Sequence, residues 1–261
     1  MDVNETDQEV LEEARRLMTT AKAVVALTGA GISTDAGIAD FRGPNGIWTR
    51  DPAAERLSNL RYYLSDESIR RASWRSRLDA PVWTARPTPG HLALVELERQ
   101  GRLETIVTQN TDGLHQLAGS LPAKVLEVHG TSHWTICWDC GDRQPTLNVL
   151  ERVRQGDDDP RCSCGGILKT ATISFGQSLD LAVLERVQLA ARQADLLLAV
   201  GTTLEVQPVA GIVPLAARLG AKVIIVNGSP TAGDAIADVV LRGPISTLLP
   251  ALVGAEGAPT A

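Results

Sequence analysis

Apolar residues recur along this chain in two rhythms. Val10, Leu11, Ala14, Leu17, Met18 and Ala21 fall at the three-to-four spacing that lines one helix face, behind the capping-box pattern Thr6-Asp-Gln-Glu9. A helix over 7–21 is predicted. The second rhythm is a set of short continuous runs, "KAVVALTG", "LETIVTQN", "AKVLEVHG", "ADLLLAVGTT" and "GAKVIIVNGS", each stopping on small or polar residues. Runs of this kind read as strands buried on both faces, and helical patterns at 91–100 and 181–193 lie between them. The alternation predicts an α/β fold with a mostly parallel sheet covered on both sides. Ligands in such sheets gather beyond the carboxyl ends of the strands. That rule singles out residues 29–33, 109–112, 129–130, 201–203 and 227–229.

Two segments break the alternation. Residues 44–85 are rich in Arg, Ser and Trp with weak helical periodicity, which suggests a small or mobile helical insert. Their arginines, Arg70, Arg71, Arg75 and Arg77, read as a solvated helix face or a local basic patch. Residues 131–180 hold all four cysteines, as Cys137-Trp-Asp-Cys140 and Cys162-Ser-Cys164. Thiolates so spaced can wrap one tetrahedral Zn²⁺, and a small segment without its own core needs such a staple. A disulfide reading conflicts with a reducing cytosol, and a redox Cys-x-x-Cys leaves the second pair unexplained. Four protein ligands leave the metal no open position, so it is expected to be structural.

With 261 residues, 44% of them hydrophobic and 21% charged, the chain is an ordinary globular one. Its net charge of −6 gives no global drive toward nucleic acid or anionic membrane. The acidic, polar start and the lack of any long apolar run point to a cytoplasmic protein without a membrane span. Only two phenylalanines occur, and both, Phe41 and Phe175, stand in candidate site segments.

Gly29-Ala30-Gly31 after a strand lets backbone approach a phosphate. Serine and threonine stand where a dehydrogenase fingerprint wants its next glycine, so an ordinary dinucleotide loop is only half matched. Gln109, Asn110 and Asp112 place two amides and an acid at another strand end, suited to reading a carboxamide and a ribose, or to capping a turn. His129 stands at the tip of a strand facing the same edge, and an imidazole is suited to take a hydroxyl proton near neutral pH. His115 and His133 read as packing or supporting residues, and His91 as the start of a helix.

Taken in order, Gly-Ala-Gly-Ile-Ser (29–33), Asp-Phe-Arg-Gly (40–43), Thr-Gln-Asn-x-Asp-x-Leu-His (108–115), Glu-x-His-Gly (127–130), the cysteine pairs, Phe-Gly (175–176), Gly-Thr-Thr-Leu-x-Val-x-Pro (201–208) and Val-Asn (226–227) resemble the sirtuins. Sirtuins are NAD-dependent protein lysine deacylases, and the likeness spans about residues 23–252, as in bacterial-type single catalytic domains. It implies a Rossmann-like doubly wound parallel sheet from 1–43, 86–130 and 181–261. It further implies a helical insert or cofactor loop at 44–85 and a zinc-binding module at 131–180. By the match, Gly29, Ala30 and Gly31 hold NAD phosphates, Gly201 also binds the cofactor, and Asp40, Phe41 and Arg42 close over the nicotinamide ribose. Asn110 and Asp112 hold nicotinamide and serve catalysis, Gln109 the ribose, and Thr202, Thr203, Asn227 and Ser229 the adenosine end. His129 is the implied general base. Cys137, Cys140, Cys162 and Cys164 hold one structural zinc, and Ile173, Phe175 and Gly176 line the acyl-lysine path. The implied products are lysine, nicotinamide and O-acyl-ADP-ribose.

Thr111, Gln177, the Cys-Ser-Cys pair and "LKTATIS" depart from the common family pattern, which bears on substrate choice more than on NAD use. No Tyr-x-x-Arg occurs in 44–85, so acetyl or a longer neutral acyl group is expected. Competing readings are a protein mono-ADP-ribosyltransferase using the same pocket, a zinc-module scaffold without activity, and an ordinary dehydrogenase.

Overall fold

The structure, a computed structural model, describes residues 5–40, 43, 46–50 and 56–254. Phe41 and Arg42 lie outside the described residues. The predicted N-terminal helix is α1 (Glu5–Thr20), which packs its apolar stripe against the sheet. The five apolar runs all form strands: β1 (Val24–Thr28), β2 (Leu103–Thr108), β3 (Val125–Glu127), β7 (Leu196–Val200) and β8 (Lys222–Asn227). With β9 (Val239–Arg242) they make a six-stranded sheet in the order β3-β2-β1-β7-β8-β9, every pairing parallel.

The two-residue period of the strands sorts the core into two layers. Val24 and Ala26 of β1 join Leu196, Leu198, Ile224 and Val226 beneath α1, α5 (Pro89–Arg99) and α10 (Ile245–Val253). Val25 and Leu27 join Leu197, Ala199, Val223 and Ile225 on the other face, beneath α8 (Leu181–Gln193) and α9 (Ile212–Arg218). Both faces are dry, which is why these strands read as unbroken apolar runs.

The strand order reverses between β1 and β7. This is the switch point at which doubly wound sheets open a crevice. Gly29 and Gly201 follow those two strands, and the loops touch: Gly29 N donates to Val200 O at 3.0 Å and Gly31 N to Gly201 O at 2.9 Å.

The cysteine segment builds a second sheet, antiparallel, from β4 (Gly130–Cys137), β5 (Arg143–Pro145) and β6 (Leu168–Thr172), in the order β5-β4-β6, with α7 (Thr146–Arg154) against it. Its core is small. Val149, Leu150, Val153 and Leu168 surround Trp74, which comes from α4 (Glu67–Leu78) in the helical insert. The insert also supplies α2 (Ile47–Arg50) and α3 (Leu60–Ser65). Its arginines are not one solvated face. Arg70 is buried in a two-bond pair with Asp159, while Arg71 and Arg75 hold Asp158. Among the described residues no helix is long and apolar enough to cross a membrane.

Candidate functional site

Every described residue that the sequence singles out for NAD, acyl-lysine or catalysis lines one cleft of about 1230 Å³. The cleft runs from the switch point of the parallel sheet to β6. It exceeds the ~300–1,000 Å³ usual for a single small-molecule site, which leaves room for a dinucleotide and a second substrate.

At its floor the strand ends of β1 and β2 are tied by a chain of side-chain hydrogen bonds. Asn110 Nδ2 donates to Gly29 O at 3.1 Å and to Ser33 Oγ at 3.2 Å; Ser33 Oγ in turn donates to Asp112 Oδ2 at 2.7 Å. Asp112 Oδ1 accepts from Leu114 N at 2.9 Å. All three side chains are buried. Ser33 falls in the strand-end segment 29–33 that the sequence singles out, but carries no role there. Its signal lay in the glycine loop itself, where a hydroxyl replaces the glycine of ordinary dinucleotide loops. Gln109 Nε2 donates to Thr202 Oγ1 at 2.9 Å, joining the β2 end to the β7 end.

His129 lies directly after Val128, half-buried on the cleft wall. Its Nδ1 is 3.0 Å from Gln109 O. A carbonyl only accepts, so Nδ1 carries the proton and Nε2 keeps its lone pair. Burial pushes the imidazole below its usual value, and the Gln109 bond opposes this only in part. The ring is therefore neutral near pH 7. Ile173 N donates to His129 O at 2.8 Å, so the histidine also marks where β6 leaves the second sheet. Phe175 pairs its backbone with residues 58–60 through Phe175 N to Ser58 O (2.8 Å) and Leu60 N to Phe175 O (3.0 Å). At the far end Asn227 is buried and donates to Ser229 O at 2.7 Å.

The glycines at the switch point leave no room for a side chain. A Cβ on Gly31 would stand 2.7 Å from Gly201 Cα and 3.0 Å from Gly201 O, both backbone atoms. Gly31→Ala is expected to cost about 1–3 kcal/mol of stability through overpacking. It also displaces the loop, so isothermal titration is expected to show NAD affinity at least about tenfold weaker.

Behind the floor sit two histidines with no exposed surface to speak of. Thr28 Oγ1 and His115 Nε2 are 2.9 Å apart, and the His91 and His115 rings lie 4.8 Å apart, centre to centre. Thr88, bonded to His91 Nδ1, donates to Ile32 O at 2.9 Å and so steadies the glycine loop. Burial lowers His91 to about 4 and His115 to about 3, the His91 charge adding to the latter. Unfolded, both titrate near 6.5, so the unfolded chain binds more protons between that value and 3–4. Their contribution to stability is whole above pH ~6.5 and is lost on acidification, at about 1.4 kcal/mol per pH unit for each ring. The thermal midpoint is expected to fall steeply from pH 6.5 to 4, and more gently in His115→Asn. A midpoint flat over that range excludes the assignment.

The four cysteines meet away from the cleft. Their sulfurs lie within 4.8 Å of one another, with Cys137–Cys164 at 3.6 Å and Cys140–Cys162 at 3.7 Å. Those separations are too long for disulfides. They match the ~3.8 Å edge of a tetrahedron with ~2.3 Å Zn–S bonds. Gly166 completes the cradle, since a Cβ there would sit 2.7 Å from Cys137 Sγ. The donor set fits one structural zinc.

Residues 29–208 match the Sir2 family. The chain belongs to that family. NAD-dependent protein deacetylase 2 of Streptomyces coelicolor is 48% identical over 241 residues, covering 92% of this chain and all of that protein. Among solved Sir2 structures, one of a Sir2 enzyme has 34% identity and a TM-score of 0.86 over 95% of this chain and 97% of its own. Another, a Sir2 with p53 peptide and NAD⁺, has 30% identity and a TM-score of 0.82, over 92% and 95% of the two chains. The Sir2 fold thus accounts for the parallel sheet, the cysteine-bearing sheet and the cleft between them.

Proposed function

We propose that this chain is an NAD-dependent protein lysine deacylase that releases nicotinamide and O-acyl-ADP-ribose. The observation that carries the reading is the state of His129: a neutral ring, its Nδ1 proton spent on Gln109 O, with Nε2 left as a base on the wall of a two-substrate cleft. NAD supplies a cationic nicotinamide leaving group on a ribose that becomes electron-poor as the bond breaks. The Asn110–Ser33–Asp112 chain fixes an amide and a carboxylate where the carboxamide is to be gripped. Gln109 and Asp40 face the nicotinamide ribose, and Gly29, Ala30, Gly31 and Gly201 border the phosphates. Thr202, Thr203, Asn227 and Ser229 border the adenosine. An acyl-lysine enters past Ile173, Phe175 and Gly176 and offers its carbonyl oxygen to the ribose. His129 Nε2 then takes the proton of the ribose 2′-hydroxyl, whose oxygen bonds to the acyl carbon. A water adds to that carbon as its bond to nitrogen breaks, so lysine leaves as the amine and the acyl group stays on the ribose.

The partner is an acyl-lysine protein or peptide. A net charge of −6 gives nucleic acid no electrostatic footing. Four thiols with separated sulfurs suit a reducing cytoplasm. Incubation of an acetyl-lysine peptide with and without NAD, followed by mass spectrometry, tests the reading. Deacetylated peptide with equimolar nicotinamide and O-acetyl-ADP-ribose is expected. Labelled ADP-ribose retained on protein, without loss of acetyl, shows a mono-ADP-ribosyltransferase instead.

A further inference from the structure

His133 stands near the start of β4 with an exposed ring, yet its Nε2 lies 2.8 Å from Asp112 O. A carbonyl only accepts, so Nε2 carries the proton and donates it. The preceding residue makes two more bonds to the same turn. Ser132 N donates to Thr111 O at 2.9 Å, and the Thr111 and Ser132 hydroxyls are 2.8 Å apart. These bonds strap the first residues of the cysteine-bearing sheet to residues 111–113, just past the end of β2. The ring is held from its other side as well. Trp83 meets it edge-on, with centres 5.7 Å apart and planes at 87°, and Trp83 Nε1 is anchored on Arg77 O at 2.6 Å. Against the turn the fit is close: a Cβ on Gly113 would lie 2.8 Å from His133 Nε2.

What His133 holds is the peptide between Asp112 and Gly113. Gly113 has φ +71°, in the left-handed region. A turn peptide that precedes such a glycine can rotate, since type I and type II turns differ by that one flip and glycine accepts both. Only one orientation aims the Asp112 carbonyl at His133. The flip also changes the backbone between Asp112 and Leu114, and so strains the bond from Leu114 N to Asp112 Oδ1. That carboxylate is the one Ser33 meets through Oδ2. Asp112 is therefore fixed at its side chain by Ser33 and Leu114 and at its main chain by His133. The two bonds through Ser132 act one residue earlier and leave the 112–113 peptide free to turn. His133 itself lines no part of the large cleft; it borders a second cavity of about 650 Å³ that reaches the same turn from behind. It acts on the site through Asp112 alone.

We propose that His133 is a positioning residue: by holding the Asp112 carbonyl it fixes the turn that grips nicotinamide, and so sets how firmly the leaving group is bound without touching it. The inference rests on the deacylase reading above, which assigns Asn110 and Asp112 to the carboxamide. Its test compares the wild-type protein with His133→Ala and with His133→Gln, whose amide can donate from nearly the same place. Isothermal titration measures the affinity for NAD and for ADP-ribose, which lacks the nicotinamide. Inhibition of NAD-dependent deacetylation by added nicotinamide is the second readout. His133→Ala is expected to weaken NAD relative to ADP-ribose at least about fivefold, and to raise the half-inhibiting nicotinamide concentration by a similar factor. Affinity for ADP-ribose and KM for the acetyl-lysine peptide are expected to stay within about twofold of wild type. His133→Gln is expected to recover most of the loss. The ratio of the two affinities is internal to each variant, so a fraction of unfolded protein does not move it. A ratio unmoved in His133→Ala overturns the proposal. A loss shared equally by NAD and ADP-ribose, or one that glutamine does not recover, overturns it too and marks a merely structural histidine. Wild-type protein that binds NAD without deacetylating the peptide overturns the deacylase reading, while the affinity ratio still decides the role of His133. Wild-type protein that binds neither nucleotide overturns both.

Discussion

His129→Ala is expected to lower deacylation by about 10²–10⁴-fold, the usual contribution of a positioned general base, while the thermal midpoint stays close to wild type. The two halves of that expectation have separate causes. The half-buried ring makes one side-chain hydrogen bond, to Gln109 O, so its loss removes little packing. The main-chain bond from Ile173 N to His129 O survives the substitution, and with it the join between β4 and β6. What disappears is the lone pair on Nε2. Because burial lowers the ring below its ordinary value, the wild-type rate is expected to be flat at neutral pH. The rate declines only as acid protonates Nε2, with a midpoint below about 6.5. His129→Gln keeps a hydrogen bond but not a base, and is expected to be nearly as slow as alanine. A variant that deacylates at the wild-type rate, or a wild-type midpoint on the alkaline side of neutrality, removes His129 from the chemistry.

The strands and their covering helices were legible because burial on both faces leaves an unmistakable apolar run, and α8 begins and ends where its pattern does. The strand-end rule singles out Gly29, Gln109, His129, Gly201 and Asn227, and all five line one cleft. What stayed hidden depended on contacts between distant segments. Ser33 becomes a site residue only because Asn110 and Asp112 arrive from another strand, 77 and 79 positions away. Arg70 looks like its solvent-facing neighbours until Asp159 is brought against it. Arg77, from α4, and Lys169, from β6, meet on one cleft wall although α5, β2, β3, β4, β5 and α7 lie between them in sequence. The short strands β4 to β6 carry mixed polar residues with little alternation, since the segment is organised around sulfur more than around a core.

Removing the metal is expected to produce the other large effect, and it separates a structural zinc from a catalytic one. Purified protein is expected to carry about one zinc per chain, and Cys137→Ser to lose it. The hydrophobic cluster of the cysteine-bearing sheet is too small to hold the segment alone: a few aliphatic residues with Trp74 borrowed from α4. Zinc contributes apparent free energies of roughly 10–16 kcal/mol in small modules of this kind, so its loss is expected to unfold 131–170 outright. The parallel sheet has its own two-sided core, and its unfolding transition is expected to persist as a separate event. Activity goes with the module, because β4 and β6 are what hold Gly130 against Thr172 and Ile173 against His129. Four thiolate ligands leave no position for water or substrate on the ion. Refolding with Cd²⁺ or Co²⁺, which accept the same tetrahedral thiolate set, is therefore expected to restore deacylation to within a few-fold of the zinc protein. A metal-free protein with undiminished activity shows the sheet to be self-supporting. A restored rate that tracks the identity of the ion, with the fold intact in every case, shows the metal to be part of the chemistry.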